Sequence, residues 1–185
     1  MARVIAIGGM PGTGKTTLMR EYMRGKEWKI GKHNKLLAYH YNEEKNIYVL
    51  GLYEEDKGYA QGTDRLSMAV QPTAIDFLQK IDAEATIIFE GDRLFTASFL
   101  EDVAKNHRVL ILLLKADNLQ ERYQLRNSNQ SETFLKGRKT KYSHISSNFF
   151  LMPYIQERLN ENRKDLDKTI TEINKFIESV DYAKI

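Results

Sequence analysis

A chain of 185 residues, 42% hydrophobic and 29% charged, has the size and balance of one globular domain with a sizeable core. It has no cysteine, which excludes a disulfide scaffold, thiolate catalysis and Cys-ligated zinc, and fits a reducing compartment such as the cytoplasm. The excess of 28 Lys and Arg over 25 Asp and Glu, a net +3, is too small to argue for a nucleic-acid partner, and the longest wholly apolar run, Val109 to Leu114, is too short to span a bilayer.

In chain order, Arg3 to Gly8 is a short apolar strand pattern, with no signal-peptide cleavage site around it. A Gly-rich turn follows, then a helix over about Lys15 to Arg24 with Leu18, Tyr22 and Met23 at helical spacing. The stretch from Gly25 to Lys35 is polar and basic. Leu36 to Tyr41 and Ile47 to Tyr53 read as the two strands of a hairpin. After a polar loop comes a Gly62-Thr63-Asp64-Arg65 turn, then a helix with Pro72 near its start and Ile75, Leu78 and Ile81 facing inward. Ala85 to Phe89 is a buried strand pattern ending in Glu90-Gly91-Asp92-Arg93. Phe95, Phe99, Leu100, Val103 and Ala104 form a helical stripe. Arg108 to Leu114 is a third apolar strand, and Asp117 suits the N-cap of the helix after it. A polar, basic segment spans about 126–144. From Tyr154 onward Ile155, Leu159, Leu166, Ile170, Ile173 and Ile177 predict helix, giving a helical C-terminal part over about 145–182. Buried strands alternating with helices imply an α/β three-layer fold with a mainly parallel sheet, a hairpin insertion and a helical C-terminus, in a single domain over residues 1–185.

Gly9-x4-Gly14-Lys15-Thr16 is a complete Walker A pattern set between a strand and a helix. The turn Gly9, Met10, Pro11, Gly12, Thr13, Gly14, Lys15, Thr16 and Thr17 suits a nest for the phosphates of ATP, built from the backbone N–H groups of its residues other than Pro11 and aided by the helix N-terminus. Lys15 is expected at the β- and γ-phosphates and the Thr16 hydroxyl at Mg2+. The guanine-reading Asn-Lys-x-Asp of switch GTPases is absent, since Leu114-Lys115-Ala116-Asp117 stands in its place. Chain length and the basic segment favour a kinase, which needs a carboxylate at the metal, a base for the acceptor hydroxyl and cations on the transferring phosphate. Glu90 and Asp92, past a buried strand, stand where the metal carboxylate belongs; Asp92 also suits a helix cap. Asp64 is the candidate base, and equally a helix cap, with Arg65 and Arg93 beside it for the substrate. The 126–144 segment reads as a lid with Gly137 as hinge, or as a solvated loop. Arg126 and Arg138 are its candidate phosphate contacts, and Arg122 is assigned to solvent or a structural pair.

The stretches Gly9 to Thr17, Gln61 to Pro72, Phe89 to Arg93 and Asn129 to Lys141 resemble bacteriophage P-loop kinases of the 5-hydroxymethyluracil DNA kinase group, over about residues 3–145. The resemblance implies ATP-dependent phosphorylation of the hydroxymethyl group of a modified thymine analogue in DNA, with Lys15 and Thr16 as ATP and Mg2+ contacts. Asp64, Glu90 and Asp92 carry over without assigned roles. A free nucleoside or nucleotide kinase, or a P-loop ATPase that transfers nothing, would share the cradle. Residues 20–35 hold six Lys or Arg against two Glu and include Trp28, which suits either a polynucleotide contact or a solvated surface with a core Trp. Tyr39, Tyr41, Tyr48 and Tyr53 suit either the acceptor side or the core.

Overall fold

The computed structural model describes residues 1–54, 61–125 and 130–179. Among the described residues seven strands form one sheet: β1 (Arg3–Gly9), β2 (Lys29–Lys32), β3 (Ala38–Asn42), β4 (Ile47–Leu50), β5 (Thr86–Glu90), β6 (Arg108–Lys115) and β7 (Ile155–Leu159). Their order is β2-β3-β4-β5-β1-β6-β7. From β4 to β7 all neighbours pair parallel, while β2, β3 and β4 form an antiparallel meander at one edge.

The helices are α1 (Lys15–Met23), α2 (Val70–Lys80), α3 (Ala97–Asn106), α4 (Leu119–Leu125), α5 (Glu132–Ser146) and α6 (Arg163–Glu178). None of the described helices is long and apolar enough to cross a membrane. Alternation along β1 sorts the two faces of the core. Val4 and Ala6 pack with Phe77 of α2, Phe99 and Val103 of α3 and Ile145 of α5, while Ile5 and Ile7 pack with Leu18 and Met19 of α1 and Leu166 and Ile173 of α6. This is the expected α/β three-layer fold with a mostly parallel sheet.

Several elements differ from expectation. The run Ile155–Leu159 is not helical: it is β7, an edge strand pairing Ile111–Lys115 of β6 in parallel. Ile155 and Leu159 are four apart, which satisfies a helical face and one side of a strand equally, and the open edge of β6 decides between them. The helical C-terminus therefore shrinks to α6. Within the basic 25–35 stretch, β2 pairs with β3 through its backbone while exposing Lys29, Ile30 and Lys32, so no burial pattern marked it. The lid segment is largely the helix α5, capped by Ser131, and Gly137 lies inside it with open space where a side chain would be. Pro72 sits in the first turn of α2, where its missing N–H is not needed. Asp117 lies two residues ahead of α4 and its N–H donates to Glu161 Oε1 (2.9 Å).

Candidate nucleotide-binding and phosphoryl-transfer site

The connection from β1 runs through α1 toward β2 at one edge while that from its neighbour β5 runs through α3 to β6 on the other side, which opens a crevice at the C-terminal ends of these strands. The Gly-rich turn falls there. A cavity of about 210 Å3 opens over it, lined among others by Lys15, Thr16, Gln61, Asp64, Glu90 and Phe134. Lys15 bends back over the turn, its Nζ donating to Gly9 O (2.7 Å) and Met10 O (3.2 Å).

Three successive carbonyls on the outside of the turn are each tied to a later element. Tyr123 OH donates to Pro11 O (2.9 Å), Arg122 Nη1 to Gly12 O (3.0 Å) and Asn160 Nδ2 to Thr13 O (2.7 Å). Arg122 also donates through Nη2 to Asn160 O (2.8 Å), closing the clamp. The glycines make this approach possible. A Cβ on Gly12, at φ 83°, would lie 2.9 Å from the Tyr123 ring, and one on Gly14, at φ 87°, would lie 2.5 Å from Asn160 Nδ2. With the carbonyls held outward, the loop's N–H groups are left for the cavity side.

The acidic wall comes from β5 and the short 3-10 turn Thr63–Arg65. Glu90, only 1% exposed, accepts from Thr16 Oγ1 (3.1 Å) and Tyr53 OH (3.3 Å) at Oε1. Burial pushes its carboxyl up to about 7, against the pull of Lys15. Asp64 is raised too, by burial first and by the charge of Asp92 second; its Oδ1 accepts from Asp92 N (2.7 Å). Gly91, at φ 108°, lets the two turns meet: a Cβ there would lie 3.0 Å from Asp64 Oδ1. Among the described residues no three His, Cys, Asp or Glu side chains gather as a metal cage. The Thr16 hydroxyl and Glu90 carboxylate nevertheless fit Mg2+, a hard cation that takes few protein oxygens and completes its shell with phosphates and water.

A family model described as an AAA domain matches residues 5–144. The chain belongs to this AAA domain family. It is a P-loop NTPase family that includes nucleotide kinases, so nucleotide binding at this turn follows. No curated protein matches the chain. Among solved structures, the G domain of the FeoB iron transporter of T. maritima is similar at 14% identity, over 94% of this chain and 99% of that one, with a TM-score of 0.30.

The remaining site candidates of this AAA domain divide by their partners. Asp92, expected with Glu90 at the metal, turns to α5: its carboxylate pairs with Arg138 (3.1 Å) and Lys141 (3.0 Å) and accepts from Tyr142 OH (3.0 Å). Burial opposes its charge, but these three partners outweigh it and hold the carboxyl below its ordinary range. The helix it was also suited to cap is capped by Thr96, which accepts from Phe99 N. Arg138 thus meets Asp92 and lies over the Phe134 ring (4.8 Å), whereas Lys136 and Lys139 face outward. Arg65 pairs with Glu54 (2.7 Å), and Arg93 Nε reaches Leu66 O (3.4 Å) while its charge is felt at Asp64. Arg126 lies outside the described residues. Trp28 packs against the α1 side of the core and donates to Met23 O (2.9 Å), while Tyr39, Tyr41 and Tyr48 cluster on the hairpin. Of the four tyrosines it is Tyr53 that touches a site acid.

Asn160 and Tyr123 were not singled out from the sequence. Asn160 follows β7 at the same sheet edge as the cradle, a position visible only once Ile155–Leu159 is read as a strand. Its side chain is one of the few buried polar ones, and removing it leaves Thr13 O without this donor, at a cost of about 1–3 kcal/mol. Asn160→Ala should therefore lower the melting temperature by roughly 2–10 °C and weaken ATP binding by about tenfold. Calorimetric titration with ATP checks this; wild-type affinity would show that the clamp does not shape the cradle.

Proposed function

We propose that the chain is an ATP- and Mg2+-dependent kinase that transfers the γ-phosphoryl group to a hydroxyl, the acceptor being the hydroxymethyl of hydroxymethyluracil in DNA. The observation that carries the kinase reading is Asp64: a desolvated carboxylate on the cavity wall, separate from the Thr16–Glu90 pair and held by the Asp92 N–H. A carboxylate there can take the proton of an acceptor hydroxyl, and of a water in an NTPase, so the labelled acceptor is what separates the two. The acceptor is supported by the resemblance of the Gln61–Pro72 and Asn129–Lys141 segments.

In the proposed reaction the acceptor oxygen bonds to the γ-phosphorus as the bond from that phosphorus to the β–γ bridging oxygen breaks, releasing ADP. Asp64 takes the hydroxyl proton. Lys15 and the lid cations Arg126 and Arg138 neutralise the charge on the transferring oxygens, and Arg93 and Arg65 border the acceptor side. Thr16 and Glu90 would hold Mg2+, which would supply positive charge to polarise the phosphates. Because Arg138 is paired with Asp92, engaging ATP requires it to exchange that carboxylate for phosphate oxygens, a trade between partners of like charge.

The test is incubation with γ-labelled ATP and either hydroxymethyluracil DNA or the free nucleotide. Label in the DNA, lost when the hydroxymethyl is replaced by methyl, is expected. Label confined to the mononucleotide would favour a nucleotide kinase, which the family also contains, and ATP hydrolysis with no labelled acceptor would refute the kinase reading.

A further inference from the structure

One face of α5 is fully used. Arg138 and Lys141 reach Asp92, and Tyr142 and Ile145 enter the core. The opposite face is exposed and presents Lys136, Lys139 and Ser143 at spacings of three and four, one stripe along the helix, with His144 beside Ser143. From Lys136 to the end of α5 this stripe carries no carboxylate; Glu132 stands one turn ahead of it, and the nearby Glu157 is paired with Lys115 (2.6 Å). Three residues beyond the end of α5 stands Phe149, which at 92% is the most exposed large apolar side chain among the described residues. Phe150 lies beside it in sequence, half exposed, with Lys105 Nζ 5.9 Å from its ring. At the other end of the helix Phe134 lines the nucleotide cavity, about 20 Å away.

We propose that the outer face of α5, with Phe149 as a stacking platform, binds a single-stranded polynucleotide whose path leads to the Phe134 end of the cavity. The inference deepens the DNA-acceptor reading and rests on it for the identity of the strand. Charge complementarity selects the occupant: Lys136 and Lys139, with no acid on the stripe beside them, favour a polyanion, and cations alone would suit any polyanion. The exposed ring selects one that carries stackable bases, since aromatic faces hold bases without regard to sequence. An apolar protein partner would meet lysines along most of this face. The sequence suggested residues 20–35 with Trp28 for such a role, but Trp28 is packed on the core side and Lys29 is paired with Glu43, so the outward face of α5 is the better-formed surface.

The measurement is fluorescence anisotropy of a labelled single-stranded oligodeoxynucleotide of about twenty nucleotides with the full chain, across a salt series, without ATP. Wild type should bind. The double variant Lys136→Gln/Lys139→Gln should weaken binding by at least about tenfold at low salt and reduce the log–log salt slope by about 1.4. Phe149→Ala should weaken it by between about fivefold and a hundredfold with the slope unchanged. Binding of a fluorescent ADP analogue at wild-type affinity shows that each variant is folded. Oligonucleotide affinity unchanged in both variants overturns the proposal. So does a loss confined to the lysine variant, which is diffuse charge attraction, or a chain that binds phosphatidylserine vesicles and not the oligonucleotide. An oligonucleotide carrying hydroxymethyluracil that is held through this face but never phosphorylated would leave the surface standing and refute the DNA-acceptor reading; DNA labelling undiminished in both variants would do the reverse.

Discussion

Replacing Asp64 by Asn should cut the rate of phosphoryl transfer by about 10²- to 10⁴-fold while leaving ATP affinity close to wild type. The substitution preserves shape and keeps an oxygen to accept the Asp92 N–H, so the turn between β5 and the 3-10 segment should survive. What it removes is the ability to take a proton. Burial and the charge of Asp92 raise the Asp64 carboxyl above the ordinary aspartate range, which brings it nearer the working pH of a general base. The wild-type rate should accordingly rise with pH through that raised value, and the variant should lose this limb of the profile. Single-turnover kinetics with labelled ATP, beside calorimetric ATP titration, separates the two effects. Wild-type turnover in the Asp64→Asn variant would move the base to another group.

Glu90→Gln is expected to do two opposite things: abolish most activity, and stabilise the fold above neutral pH. Burial holds the folded-state carboxyl at about 7, above its value in the unfolded chain. Between the two values the folded state holds the proton more tightly, so this residue's contribution to stability falls as pH rises through that window. Above pH 7 the ionised Glu90 costs on the order of 3 kcal/mol relative to a neutral isostere. The variant should therefore melt higher than wild type at pH 8, by up to roughly 10 °C, and gain little at pH 5. Thermal unfolding at both pH values checks the sign; equal shifts at the two would show that the gain does not come from a proton. The loss of activity follows from the missing charge beside Thr16, and the pair of results is the usual exchange of stability for function at a buried site acid.

These two acids also show how far the linear chain can be read. Glu90 and Asp92 look equivalent in Phe89-Glu-Gly-Asp-Arg93, both just beyond a buried strand. They end on different partners because Gly91, in the left-handed region, turns the chain so that Glu90 stays under the P-loop helix while Asp92 meets α5. Arg122 reads as pointing either to solvent or to a structural pair; its target, the Gly12 carbonyl 110 positions earlier, has no local signature.

The Walker A cradle, the hairpin, the three central buried strands and the helices α1 to α4 and α6 were determined by sequence alone, because each depends on patterns within about a dozen residues, such as apolar periodicity and glycine spacing, whereas α5 lay in a segment that read as a lid or loop. Only the tertiary structure decided the rest. Ile155–Leu159 became a strand because β6 offered a free edge, and Lys29–Lys32 because β3 did. The clamp of Tyr123, Arg122 and Asn160 on the loop carbonyls, and the division of the two carboxylates between Thr16 and α5, are pairings between distant segments. Their partners are set by where the sheet order brings strand ends together, and no window on the chain contains both halves.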